Sequence, residues 1–235
     1  MSNYGTLYGL GVGPGDPELI TVKAFRVIQE SPVIAYPRKR KGSKSYAQRI
    51  VDVYIRPGEK EMLGLVFPMT KNQEILDKKW NIAVELVYEK IQEGKDVAFV
   101  TEGDPLLYST FIHMMKLMQE LHPEVEIKTV PGISSFNGSA SRLGIALADG
   151  DDHVAIIPAT DDYGAMKKAI EDHDAVVFIK VAKVMDLMIR VLKDLNLFDK
   201  ASVVTKVTSD EEVIWSMDEL EDVELEYLTL MVVRK

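Results

Sequence analysis

This 235-residue sequence predicts an α/β fold of two small domains with a cleft between them. Three observations predict it. Short apolar runs alternate with amphipathic stretches through the first half, the signature of parallel strands joined by right-handed helical crossovers. The alternation partly restarts after Pro131. From Thr205 onward, strand-like runs follow one another with no helix between them, so the second sheet has a mixed or antiparallel edge. The expected division is an N-terminal domain over residues 1–125 with a mostly parallel sheet, and a C-terminal domain over residues 126–235 with a mixed sheet.

The elements follow in order. Residues 7–12 are apolar and interleaved with glycine, a buried strand that ends in a glycine turn. Asp16 then offers an N-cap and Pro17 takes the first helical position, with Ile20, Ala24, Val27 and Ile28 at helical spacing; a helix is expected over 17–30. Residues 33–36 form the next strand, closed by Pro37. A polar, basic loop leads to a helix near 46–54, and a longer helix near 73–93 stops at Gly94. Residues 97–101 read as a buried strand ending in Glu102-Gly103-Asp104-Pro105, after which a helix is expected through Met118. A further strand is expected at 125–130. In the second half, strands are expected at 154–157, 175–180, 202–207 and 225–233, with helices near 135–143, 163–172 and 183–195.

Composition narrows the function. A hydrophobic fraction of 46% and a charged fraction of 28% describe a chain able to bury a core, not a disordered one. The absence of cysteine excludes disulfides, thiolate catalysis and zinc–thiolate sites, and fits a reducing cytoplasm. No apolar run approaches the roughly 20 residues needed to span a bilayer, so no membrane partner is expected. The net charge of −9 disfavours nucleic acid. That charge is uneven: residues 38–49 hold Arg38, Lys39, Arg40, Lys41, Lys44 and Arg49 without an acid, whereas residues 210–226 hold nine acids and no base. Such runs are ordinarily solvated surface; the basic one could face an anionic small molecule.

Gly-Asp-Pro occurs at 15–17 and again at 103–105, each time between a strand and a helix. Capping alone accounts for it. It still puts two glycine turns at the carboxyl ends of parallel strands, where open α/β sheets bind ligands. The first loop is not a dinucleotide fingerprint, because Asp16 stands where the third glycine belongs and Pro14 lacks a backbone donor. No phosphate-binding P-loop sequence is present. The four histidines lack metal-ligand spacing, and no protein-bound metal is expected. Ser134, in Pro131-Gly132-Ile133-Ser134-Ser135, follows a strand and precedes a helix, a place suited to capping or to hydrogen bonding a ligand.

Taken together, the loops resemble a known family. Residues Leu7 to Leu19, with Gly11-Val12-Gly13-Pro14-Gly15-Asp16-Pro17 at their centre, look like the opening of the tetrapyrrole methylases. Thr101-Glu102-Gly103-Asp104-Pro105-Leu106-Leu107-Tyr108-Ser109-Thr110-Phe111 is similar to their second signature, and Val130-Pro131-Gly132-Ile133-Ser134-Ser135-Phe136 to the third. Within the family, the stretches Val33 to Pro37, Gly42 to Ala47 and Phe67-Pro68-Met69-Thr70 are similar to the branch that methylates C-20 of precorrin-2 in cobalamin synthesis.

The resemblance implies S-adenosylmethionine as co-substrate, precorrin-2 or its cobalt form as substrate, and a cytoplasmic homodimer. It implies cofactor contacts at Pro14, Gly103, Asp104, Leu107, Tyr108, Ser134 and Ser135 in and around the loops, and at Ile179 and Thr229 in the second domain. Lys180 stands where relatives outside this branch often have glycine. Arg38, Lys39 and Arg40 are expected to meet the substrate's carboxylates, and Tyr36 is expected among the substrate-binding residues. The implied chemistry is in-line methyl displacement, and no general base is assigned. The alternatives are methylation at another ring position, a nucleotide-cofactor oxidoreductase, and a binding protein without turnover.

Overall fold

The computed structural model describes residues 4–40, 42–43, 45–67, 72–220 and 223–235. Lys41 and Lys44 of the basic run and Pro68, Met69 and Thr70 lie outside the described residues. The chain divides into two compact units, Met1–Ser134 and Ser135–Lys235.

The first unit is built on strands β1 (Thr6–Gly11), β2 (Val33–Arg38), β3 (Glu61–Val66), β4 (Val97–Thr101) and β5 (Glu126–Val130), in the order β3-β2-β4-β1-β5. Every pairing in this sheet is parallel. Helices α1 (Val22–Glu30), α2 (Tyr46–Asp52), α3 (Gln73–Gln92) and α4 (Phe111–Leu121) supply the crossovers. The strands alternate their apolar residues between two cores. Leu7, Val33, Ala35, Val97 and Phe99 face α3 and α4, packing with Val84, Val87, Met114 and Met118. Leu10, Ile34, Tyr36, Ala98 and Val100 face α1 and α2, packing with Val27, Ile28, Ile50 and Val51. Burial on both faces is why these strands read as continuous apolar runs.

The expected boundary after residue 125 falls inside this unit, because β5 pairs with β1 and completes the sheet. Two helix starts also differ from expectation. Asp16 does cap, its carboxylate accepting from the Glu18 N–H at 2.8 Å, but what it caps is a single 3-10 turn, Pro17–Leu19. The helix proper begins at Val22 under Thr21, whose hydroxyl accepts from Ala24 N–H. After Pro105 the chain makes a turn and α4 starts only at Phe111. Strand β2 runs past Pro37 to Arg38, since its pairing with β4 has already ended at Ala35↔Phe99 and the missing N–H removes no bond on that side. Strand β3 was not expected; it is a partly exposed edge strand broken by Gly64, so its periodicity is weak.

The second unit opens with α5 (Ser135–Leu143), followed by β6 (Val154–Pro158), α6 (Tyr163–Asp172), β7 (Ala175–Ile179), α7 (Met185–Asp194), β8 (Ala201–Thr205), β9 (Val213–Trp215) and β10 (Thr229–Arg234). The sheet order is β6-β7-β10-β8-β9. Only β6–β7 is parallel; β10 runs antiparallel to both β7 and β8, giving the mixed sheet that the helix-free tail predicts. Helices α6 and α7 cover one face through Met166, Ile170, Met188 and Leu192. Phe136 and Leu143 of α5 pack on the other, against Val177, Val204, Leu230 and Val232.

Candidate active site

In an all-parallel sheet the carboxyl ends of the strands share one edge, so the first unit gathers its post-strand loops there. The order of strands also fixes where that edge opens. The chain leaves β2 for β3 and leaves β4 for β5, and these adjacent strands therefore send their connections in opposite directions. That is a topological switch point. The register shows the opening directly. Pairing continues to Arg38↔Val66 between β2 and β3 and to Gly11↔Thr101 between β1 and β4, but stops at Ala35↔Phe99 between β2 and β4.

Beside this opening three loops lock together. Val12 N–H donates to Thr101 O at 3.0 Å and Gly103 N–H donates to Gly13 O at 2.8 Å, so the loops after β1 and β4 run alongside each other. Asp104 joins the third loop: its carboxylate accepts from Leu106 N–H at 2.9 Å and from Gly132 N–H at 3.1 Å. The contacts leave no room for side chains. A Cβ on Gly132 would lie 2.1 Å from Gly103 O, and one on Gly11 would lie 2.6 Å from the Gly132 backbone. Glycine is required here by the close approach of three backbones.

The sequence-predicted residues fall into distinct environments. Pro14 is buried inside the first loop, and Gly103 (φ +67°) holds the bend of the second. Asp104 spends a hydrogen bond from each carboxylate oxygen on backbone, which makes it the tie between the second and third loops. Leu107 and Tyr108 stand exposed, with Leu106, and Tyr108 adopts φ +52°. Ser109 then turns the chain into α4, its hydroxyl donating to Thr101 Oγ1 and accepting from Phe111 N–H, both at 3.1 Å. Ser134, only 7% exposed, closes the first unit at the end of the third loop. Ser135 begins α5 in the second unit, its carbonyl accepting from Ser139 Oγ at 2.7 Å.

In the second unit, Ile179 pairs with Leu230, so the end of β7 and the start of β10 at Thr229 share one edge of that sheet. Ile179 is half-buried against the α5 core. Thr229 is only 2% exposed and its hydroxyl is already engaged, with Thr205 Oγ1 at 2.8 Å and Glu226 O at 2.7 Å. Trp215 Nε1 donates to the same Thr205 hydroxyl at 2.8 Å. Lys180 has φ +59°, the left-handed conformation that favours glycine.

The expected substrate group is divided. Tyr36 is a core residue, 7% exposed. Lys39 and Arg40 are exposed, and the Arg40 backbone is held by the Ser43 hydroxyl. Arg38 lies across Gly64 of β3, where a Cβ would meet its guanidinium carbon at 2.7 Å, and its Nε is buried without a hydrogen-bond partner. One acid escaped the sequence reading. Glu102, between β4 and Gly103, keeps part of its surface but is enclosed by protein, and this burial pushes its carboxyl above the ordinary value of 4.5. Only a single acid within a capping motif marked it in the sequence. Among the described residues no three histidine, aspartate or glutamate side chains come together as a metal site.

The arrangement suits a ligand with both flat apolar and hydrogen-bonding parts. Leu106, Leu107 and Tyr108 offer exposed apolar surface (48%, 38% and 49%) on the same loop as Gly103 and Asp104. The comparisons with known proteins agree in kind. The profile of the "Tetrapyrrole (Corrin/Porphyrin) Methylases" matches residues 6–222. The chain is 37% identical to the "Probable cobalt-precorrin-2 C(20)-methyltransferase" of Methanocaldococcus jannaschii, covering 97% of this chain and 96% of that one. It is 32% identical to the cobalt-precorrin-2 C(20)-methyltransferase of Salmonella typhimurium, covering 98% and 97%. Among solved structures, a cobalt precorrin-4 methyltransferase superposes with a TM-score of 0.74 at 22% identity, covering 97% of this chain and 94% of that one. A uroporphyrin-III C-methyltransferase from Thermus thermophilus, complexed with the demethylated cofactor, superposes with a TM-score of 0.68 at 21% identity, covering 98% of each chain. These two show the shared fold; the profile match and the near-full-length relatives place the chain among the tetrapyrrole methylases.

Proposed function

We propose that this protein transfers a methyl group from S-adenosylmethionine to C-20 of precorrin-2 or cobalt-precorrin-2, a step of cobalamin synthesis. The observation that carries the reading is the union of three loops at one sheet edge, in a chain that aligns over nearly its whole length with relatives named for that reaction. S-adenosylmethionine supplies an electrophilic methyl on a positively charged sulfur. The protein's share is alignment. The clasped loops around Gly11, Gly103 and Gly132 give a fixed platform, Ser134 and Ser135 offer hydroxyls, and Leu107 and Tyr108 present apolar surface to a flat ring. Such orientation can supply roughly 7–11 kcal/mol in favourable cases. Pro14, Gly103 and Asp104 act through backbone position. Ile179 and Thr229 are assigned to the cofactor on the family resemblance alone; within the second unit, Thr229 holds Thr205 and, through it, Trp215 in place.

The substrate is a polyanion; Lys39 and Arg40, exposed past the end of β2, and Arg38, whose guanidinium lies over Gly64 of β3, are assigned as its carboxylate partners. Tyr36 supports them from the core. In this reading the protein works in the cytoplasm, consistent with a chain lacking cysteine and lacking, among the described residues, any helix long and apolar enough to cross a membrane. Assembly as a homodimer follows from the family resemblance and is checked by light scattering. The decisive experiment incubates the protein with S-adenosylmethionine and precorrin-2, with and without inserted cobalt, and looks by mass and NMR for one methyl at C-20. Methylation at another carbon, or none in either form, refutes the assignment.

A further inference from the structure

Methylation of a ring carbon that carries hydrogen leaves one proton to be removed. The electron pair of the ring carbon forms the new C–CH3 bond as the S–CH3 bond breaks. The C–H bond at that carbon then breaks, its electron pair returns to the macrocycle, and a base takes the proton. Resting on the methyltransferase reading above, we propose that Glu102 is that base, so that its carboxylate is a catalytic residue.

Its place argues for it. Glu102 follows the last residue of β4, on the side of the sheet opening where β2 and β4 part after Ala35↔Phe99. Continuing that register by three residues would bring Arg38 opposite Glu102. Instead Arg38 turns away across Gly64 of β3, and no ion pair forms between them. The backbone on either side of Glu102 is pinned. Thr101 O accepts from Val12 N–H, and Gly103 N–H donates to Gly13 O. The backbone that carries this carboxyl is thus held at the junction of the loops.

The surrounding charges leave it alone. Asp104, on its own loop, is spent on Leu106 and Gly132 N–H. Asp16, on the loop after β1, caps Glu18. At the end of β2, Arg38 is folded over β3, while Lys39 and Arg40 are exposed. On α4, His113 packs against Trp80. No neighbouring cation offsets the burial that raises the Glu102 carboxyl, so the group gains basicity without losing its position. An enclosed acid whose burial is opposed only by a bond to its own backbone, at the mouth of a sheet opening, fits a chemical role better than structural support.

The test uses the full chain, S-adenosylmethionine, and precorrin-2 carrying hydrogen or deuterium at C-20. For Glu102→Gln we expect unchanged binding of S-adenosylhomocysteine, a tetrapyrrole KM within about twofold, and turnover reduced roughly 10²- to 10⁴-fold. In the first turnover S-adenosylhomocysteine should form faster than the C-20 hydrogen is lost, and a deuterium isotope effect should dominate turnover. Glu102→Asp should recover part of the rate. The melting temperature of Glu102→Gln should equal or exceed that of the wild type at neutral pH. Wild-type turnover in Glu102→Gln overturns the proposal. So does turnover without a deuterium effect, or a loss of rate that tracks lost cofactor binding and a lower melting temperature. A wild-type protein that releases no S-adenosylhomocysteine with precorrin-2 overturns the functional reading first, and the base with it.

Discussion

Replacing Gly132 by alanine adds one methyl group where three backbones meet. Its Cβ would sit 2.1 Å from Gly103 O and 2.7 Å from two backbone atoms of Gly11, none of them the end of a flexible side chain. Ordinary contact begins at 3.4 Å, so the third loop must withdraw from the second by about 1.3 Å. That movement also breaks the bond from Gly132 N–H to Asp104, now at 3.1 Å. Overpacking costs about 1–3 kcal/mol. A lost hydrogen bond to a charged group costs about 1.5–3 kcal/mol. A total near 3 kcal/mol should lower the melting temperature by roughly 6–12 °C in a chain of this size. The control is Gly164→Ala in α6, where the nearest atom is 3.5 Å away and no positive φ is needed. The same chemical change there should be neutral or stabilise by about 0.4–1 kcal/mol. Differential scanning calorimetry of both variants, with S-adenosylhomocysteine titrated into each, reads the contrast. If Gly132→Ala melts with the wild type and binds the cofactor product equally well, the three loops are not clasped as described.

Other substitutions separate the roles of neighbouring groups. Arg38→Ala and Arg40→Ala should weaken tetrapyrrole binding and leave S-adenosylhomocysteine binding intact, as measured by calorimetric titration of each ligand. Thr229→Val breaks the hydroxyl chain through Thr205 to Trp215 and should cost about 1–3 kcal/mol of stability, read by urea denaturation. A loss of cofactor affinity with no change in stability would instead make its hydroxyl a direct contact. In the second unit, the Arg142 guanidinium holds the Glu212 carboxyl below its ordinary value of 4.5, with Thr208 N–H also bonded to it. A lowered folded-state value gives stability that is present above the ordinary value and is lost as pH falls through the folded one. Glu212→Gln should therefore melt lower at neutral pH and show a shallower acid decline; an unchanged melting curve across pH would contradict this.

The fold was legible wherever the period of burial was simple. Strand β4 and helices α5 and α6 match expectation because their apolar faces are continuous and their ends are marked by glycine, serine or aspartate. The loops were legible for another reason: close backbone approach demands glycine at Gly11 and Gly132, positive φ favours it at Gly103, and the sequence records all three. What escaped depends on partners distant in the chain. Strand β3 exists because β2 needs a neighbour, and Gly64 serves the side chain of Arg38, which precedes it by a whole helix. The domain boundary moved because a strand's allegiance is decided by pairing, and β5 pairs with β1. Glu102 escaped because burial, not residue type, sets it apart.

Several residues in positive φ sit just past the ends of strands. Gly13, Gly103 and Tyr108 follow strands of the first sheet in positive φ; Lys180 follows β7, and Lys206 and Thr208 follow β8, in the same conformation. Since β7 and β8 both oppose β10, their carboxyl ends lie at one edge of the second sheet. Left-handed backbone at a non-glycine residue costs of order 1–3 kcal/mol, and it persists only where the surroundings fix it. Here they do: Lys206 pairs with Glu211 and Glu226, and Ser109 ties the turn after Tyr108 to Thr101. If that strain serves ligand binding, relieving it should stabilise the fold and weaken the site. Tyr108→Gly tests this with a single change. It removes the φ penalty and the exposed ring together, so the melting temperature should hold or rise while affinity for S-adenosylhomocysteine falls. A drop in both would show instead that the ring is structural.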